Sequence, residues 1–217
     1  LCTIWFTGQD QANETYVADN TNSIDSISSS SGSDTEIVTI EGHTMSGGDK
    51  TFVSQTATLN GQTRVALGTA LNRVTRCYHN GQSSTDLVGE IYIYENTTIT
   101  TGKPDDTTKI HLTIDAGKNQ SEKASTSLSS TDYWIITGMR CGVLKKTAAF
   151  VDCQLEVRLT GGVFREVVDI VAESGIDGII SFNPYIIAPA NTDVRLRAVA
   201  DAASTEVSGS IQGYLAN

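Results

Sequence analysis

The chain is poor in several residue types that mark catalytic, membrane or nucleic-acid-binding proteins. Aromatic residues make up only 6% of its 217 positions and charged residues 18%, and proline occurs three times. So little proline, with 19 glycines, excludes Pro-rich and collagen-like architectures. No apolar run approaches the roughly 18–20 residues of a helical membrane span, which excludes an integral helical membrane protein. Basic side chains number 15 against 25 acidic ones, a formal charge of −10. No basic stripe is on offer to neutralise phosphates, so neither nucleic acid nor a membrane is expected as a partner.

Cysteine is scarce and poorly spaced for chemistry. Cys2, Cys77, Cys141 and Cys153 form no CxxC, and none has a partner histidine at zinc-site spacing. His43, His79 and His111 are scattered singly. Cys77 and His79 share strand parity, but two residues do not make a metal site. No metal and no cofactor is predicted. Gly-x-Ser-x-Gly, Cys-His and phosphate-loop motifs are all missing. Ser46-Gly47-Gly48-Asp49-Lys50 reads as a structural turn with no following helix to bind an anion. Asp105-Asp106 sits in a proline turn and reads as solvated; Ca²⁺ binding or a glycosidase dyad would need convergence in space. Trp5 and Trp134 stand alone, without the aromatic density of a carbohydrate platform. The sequons at Asn13, Asn96 and Asn119 carry no weight in a chain so rich in Ser and Thr. A non-enzymatic protein is predicted.

What the chain does have is β-branched sequence. Ser, Thr, Val, Ile and Tyr form runs broken by Gly, Asn, Asp and Ser clusters, the pattern of many short strands. Strands are predicted near 23–28, 35–41, 51–59, 63–67, 71–79, 87–95 and 108–114. A second set follows near 122–129, 133–144, 150–160, 163–171, 178–187, 193–200 and 205–215. The segment 166–173 is the nearest thing to a helix, and its β-branched content favours a strand. Asn20–Asp34 carries Ser28 to Ser31, Gly32 and Ser33, a loop by composition. The fold class is all-β: two antiparallel β-sandwich domains in tandem, jelly-roll or immunoglobulin-like. Residues 1–34 are an N-terminal arm with a first strand and a Ser-rich loop, 35–115 an N-terminal β domain, and 116–217 a C-terminal sandwich. The break falls at the linker-like Asp115–Glu122.

Directly opposed residues of an antiparallel hairpin keep a constant index sum, which allows registers to be proposed. Pairing 133–144 with 150–160 so that Met139 meets Leu155 also opposes Ile135 to Leu159, Thr137 to Val157, Cys141 to Cys153 and Val143 to Val151. Apolar residues then share one face, and Arg140, Asp152, Gln154, Glu156 and Arg158 take the other. Cys141 and Cys153 become a possible cross-strand pair, read as two core thiols in preference to a disulfide. A last hairpin opposes Val194 to Ile211, Leu196 to Gly209 and Ala198 to Val207 around Ala202-Ala203, leaving Arg195, Arg197, Ser208, Ser210 and Gln212 outward. At Asn60-Gly61 a three-residue loop aligning Ala57 with Val65 is predicted, or a bulge beside it.

The chain opens Leu1-Cys2-Thr3-Ile4-Trp5-Phe6, apolar and without the basic flank of a signal peptide. Either a segment precedes it or the chain is processed, and this apolar end needs burial in its own core or on a neighbour. Leu1, Ile4, Trp5 and Phe6 are the candidate partner-docking residues.

Two stretches resemble a known class. Val38-Thr39-Ile40-Glu41-Gly42 with Gln55–Thr63 and Leu71–Arg76 is one. Asp193–Ala198 with Thr205–Leu215 is the other. These are similar to virion structural proteins of tailed bacteriophages, in outline over 35–217, while the N-terminal part, Cys141 and Cys153 depart from that pattern. The resemblance implies a capsid decoration or cement protein on the outside of the head, bridging major capsid subunits as a homotrimer or other homo-oligomer. It implies a location on the virion surface after assembly in the host cytoplasm, where thiols stay reduced. The alternative is a tail, collar or fibre component that binds a host receptor or glycan.

Overall fold

The computed structural model describes residues 2–5, 21–81, 85–123, 125–144, 149–176, 178–202 and 205–217. In chain order the strands are β1 (Cys2–Trp5), β2 (Ile24–Ser29), β3 (Ile37–Ser46), β4 (Asp49–Thr58), β5 (Val65–Leu71), β6 (Arg73–His79) and β7 (Ile91–Glu95). The short β8 (Ile99–Thr100) and β9 (Lys103–Pro104) pair with each other, and β10 (Ile110–Ile114) and β11 (Gln120–Glu122) follow. Then come β12 (Ser125–Ser127), β13 (Tyr133–Leu144), β14 (Phe150–Leu159), β15 (Arg165–Glu173), β16 (Gly178–Ala188), β17 (Thr192–Ala200) and β18 (Glu206–Ala216). The fold is all-β, and 166–173 lies within strand β15. The one helical element among the described residues is a 3-10 turn, Thr107–Lys109, capped by the Asp106 side chain.

The strands fall into two compact units, Gln9–Lys123 and Leu1–Gly8 with Ala124–Asn217. In the second unit, β1 lies antiparallel beside β18 in the sheet β1-β18-β13-β16, which faces the sheet β12-β17-β14-β15. Counted along the chain as strands one to eight, these orders are 1-8-3-6 and 2-7-4-5, the two Greek keys of a jelly roll. The other unit stands between the first and second of those strands. Its sheets, β10-β7-β2-β5 and β11-β6-β3-β4, have the same arrangement with the first two strands moved to the end. Both units are thus jelly rolls by strand order, one inserted into a connection of the other and circularly permuted. This differs from a tandem order: Cys2–Trp5 belongs to the later sandwich, and β2 and β11 complete the sheets of the inserted one. Gln120–Glu122 hydrogen-bonds along β6, so its linker-like composition belongs to a short edge strand.

Each unit has its own apolar interior. Ile24, Ile27, Val38, Ile40, Leu71 and Ile93 are among the residues filling the inserted unit. Trp134, Ile136, Met139, Val151, Leu155 and Ile211 are among those filling the other. Full burial of a side chain of this size contributes roughly 1.5–3 kcal/mol, so these layers supply the main stabilising term. Gly213 is required by close packing, because a Cβ there would stand 2.4 Å from Nε1 of buried Trp134.

The Ser-rich segment is only partly a loop. Ser28 and Ser29 lie in β2 and are buried, as is Asp34. The Asp34 carboxylate accepts from the Val88 N–H at 2.8 Å, the Gly89 N–H at 2.9 Å and the Ser29 hydroxyl at 2.5 Å. Its own carbonyl accepts the Gly61 N–H at 2.8 Å. Ser28 Oγ donates to the Gly102 carbonyl at 2.7 Å. Gly102 takes φ +78°, and a Cβ there would fall 1.7 Å from the Ser29 carbonyl oxygen. Small polar side chains are needed here because three segments cross at backbone distance.

All three proposed hairpins are corrected. β13 and β14 lie in different sheets, as do β17 and β18, and β4 and β5. At Asn60 the chain makes a tight turn through Gly61-Gln62, with Asn60 bridged to Thr63, and crosses to the opposite sheet. The facing assignments hold for Met139, Cys141, Val143, Val151, Cys153 and Leu155, all buried. Ile135 is turned to the outer face by a bulge at Thr137, between Ile136 and Gly138.

Asp34→Ala should lower unfolding stability by roughly 2–4 kcal/mol, since it strands two buried N–H groups and a hydroxyl. Urea denaturation with an unchanged m-value is the check.

Candidate docking surface

Outer faces are where the later unit meets its surroundings, and they differ in chemistry. On the sheet β12-β17-β14-β15 the outer positions of β14 and β17 are largely ionic. Arg195 Nε donates to Glu156 at 2.5 Å, and Arg197 lies 3.8 Å from the same carboxylate. Asp193, almost fully buried, accepts from Ser127 at 2.5 Å and from Arg158 Nε at 3.0 Å. The guanidinium carbons of Arg195 and Arg158 stand 3.8 and 5.2 Å from the centre of the Phe164 ring. Arg195, placed outward by the sequence, is held between a carboxylate and an aromatic face. Charges of β14 and β17 thus pair with one another, while Val167, Val171 and Val199 stand exposed on the same sheet.

On the sheet β1-β18-β13-β16 one end of the outer face is apolar. Tyr214, Ile135 and Ile187 stand in direct register across β18, β13 and β16. Ile187 is 64% exposed and Tyr214 51% exposed. Tyr185, at 61%, extends this surface along β16; beyond it come Asn183 and Ser181, and Ile179 stands opposite Arg140 of β13. The mid-strand bulge arises because Ile136 to Gly138 of β13 oppose Ile186 back to Ser181 of β16. Single exposed apolar residues need no explanation, but a contiguous strip marks an interaction surface. The sequence signal for it was present and unread: Gly178–Ala188 contains no charged residue.

Of the docking residues expected from sequence, Ile4 and Trp5 lie in β1, with Ile4 opposite Ile211 and Trp5 opposite Ser210. Leu1 and Phe6 lie outside the described residues, as does Asn13. Trp134 is a core residue, 1% exposed. Among the described residues no group of three or more His, Cys, Asp or Glu side chains is placed to hold a metal ion.

Cys141 and Cys153 are joined in a disulfide, with Cα atoms 6.5 Å apart. This corrects both the two-thiol reading and the cross-strand geometry. The bridge runs between β13 of one sheet and β14 of the other, tying the sandwich together across its core. Cys77 is a free buried thiol in the inserted unit, and burial, then the charge of Glu41, pushes its pKa up. Because the thiolate is the nucleophile, Cys77 is chemically inert while the unit is folded.

Two predictions follow from the cysteines. The double variant Cys141→Ser/Cys153→Ser should lose roughly 2–4 kcal/mol of stability to urea, with the wild-type bridge visible as a linked peptide pair in non-reduced mass spectra. Iodoacetamide should alkylate Cys77 in native protein at least about a hundredfold more slowly than in urea-unfolded protein, read peptide by peptide.

No protein-family model matches the chain, and no curated protein matches it. Among solved structures it is similar to the VP2 subviral particle of infectious bursal disease virus, at 15% identity and a TM-score of 0.28, over 86% of this chain and 54% of that one. A second similar structure is that of the Gt strain of the same virus, at 14% identity and a TM-score of 0.25, over 88% of this chain and 54% of that one. The chain thus spans about half the length of these proteins. TM-scores this low carry no functional argument.

Proposed function

We propose that this chain is a non-enzymatic virion structural protein, a decoration or cement protein that binds the outside of a phage head and bridges major capsid subunits. The observation that carries the reading is the apolar outer strip of Tyr214, Ile135 and Ile187 on a rigid jelly-roll sheet. Such a strip suits weak docking multiplied by copy number, and a pre-organised sandwich spends little entropy on binding. The sequence resemblance of 35–217 to phage virion proteins supports the same class. Jelly rolls serve many roles, so the fold itself is only an analogy.

In this reading the docking segment is Leu1–Phe6. Its β1 portion lies at a sheet edge with its inner side on β18, and a capsid strand adds to the outer side. Assembly takes place in a reducing cytoplasm, and the Cys141–Cys153 bridge closes once the particle meets oxidising surroundings. A receptor-binding tail or fibre role is the second reading, favoured by the exposed Tyr185 and Tyr214.

The test is co-sedimentation of purified chain with particles stripped of it. The full chain should sediment with heads, and a chain lacking residues 1–8 should unfold cooperatively yet stay in the supernatant. Undiminished sedimentation of the truncated chain would contradict the docking segment. Binding of the full chain to tails alone, or to host cells, would replace the cement reading with the second one.

A further inference from the structure

We propose that β16 is the edge through which two copies of this chain pair, antiparallel, about a two-fold axis. The proposal does not rest on the virion reading, and it concerns the backbone edge of the strand as distinct from the sheet face described above.

β16 is the outermost strand of its sheet, with β13 as its neighbour on one side. Its 11 residues, bulged at 182–185, run alongside Trp134 to Cys141 of β13, a length of about 25 Å. Strands this long at an edge leave a row of backbone N–H and C=O groups that invites another strand, and natural proteins normally guard them with charge. β16 has no charged guard; Pro184 and the bulge at 182–185 interrupt it at its middle alone. Gly178–Ala188 carries no charged side chain; Ile179, Ser181, Asn183, Tyr185 and Ile187 are exposed, with Pro184 exposed as well at the bulge. Phe182 and Ala188 point to the core, so the register on β13 is fixed and the exposed set cannot be turned inward.

The occupant is a second copy for two reasons. The chain carries a formal charge of −10, so two copies repel over much of their surface, and an uncharged strand is where like-charged copies approach at least cost. The strand is also self-complementary. An antiparallel match about Asn183 opposes Ile179 of one copy to Ile187 of the other, twice, and Ser181 to Tyr185. Apolar residues then meet at both ends, while the bulge around Pro184, which has no N–H to donate, sits at the centre where ladder pairing is interrupted. Neighbouring β15 is drawn against β16 where Ile170 packs on Gly178, and exposed Val171 lies beside that point.

Light scattering on a sizing column tests this with the full chain alone, without particles. Wild type and Val88→Lys, a control in the inserted unit, should run at twice the 23.1 kDa chain mass. Ile179→Lys/Ile187→Lys should run at the single mass with an unchanged circular dichroism spectrum, because like charges then face each other across the two-fold. A wild type of single mass at about 100 μM, far above the Kd of a specific pair, would overturn the proposal, as would a lysine variant that keeps the double mass. Should the lysine variant not fold, cross-linking decides. Directly opposed strand residues stand about 4.5–5.5 Å apart at Cα, within disulfide reach. Ile179→Cys/Ile187→Cys should therefore give a covalent dimer on oxidation with diamide, and each single variant should not. A double variant that stays uncrosslinked would sink the two-fold match.

Discussion

Nearly every connection in this protein carries the chain from one sheet to the facing one, and the rest of the structure depends on that crossing. Within the later unit only β14 and β15 are both consecutive and paired, and in the inserted unit β3 and β4 make the matching hairpin. Most strands therefore find a hydrogen-bond partner far along the chain: β13 with β18, β14 with β17, β2 with β7. The apolar interior is what makes this ordering worth its entropy, because non-local pairing costs loop closure before it returns any contact. The Cys141–Cys153 bridge sits at one such crossing and closes the two sheets of the later unit across their shared core.

Strand positions and facings were legible in the sequence because side-chain alternation is a local property. Met139, Cys141 and Val143 announce an inward face whether or not β14 is their neighbour. Pairing was not legible for the same reason. A hairpin and a sheet-to-sheet crossing both place inward residues opposite inward residues, so matching Met139 to Leu155 satisfies either, and only distant strands such as β18 decide between them. Bulges were the second blind spot. One extra residue at Thr137 turns Ile135 outward, and nothing in that composition signals it. Asp34 was hidden behind a serine run whose loop-like chemistry serves a buried backbone crossing. The uncharged stretch of β16 was in plain view, but its meaning depends on its place at a sheet edge.

The two outer faces of the later unit divide between rigidity and contact. Arginines and acids on β14 and β17 pair with one another around Phe164. The opposite sheet shows Tyr214, Ile135, Ile187 and Tyr185 to its surroundings and ends in an uncharged edge.

The most direct measurement is the abundance and position of this chain in purified particles, by quantitative mass spectrometry against the major capsid protein together with a cryo-EM map. The account predicts many copies, on the scale of the shell's own subunits, spread over the icosahedral surface. A few copies confined to the tail or neck, or none in the particle, would contradict it.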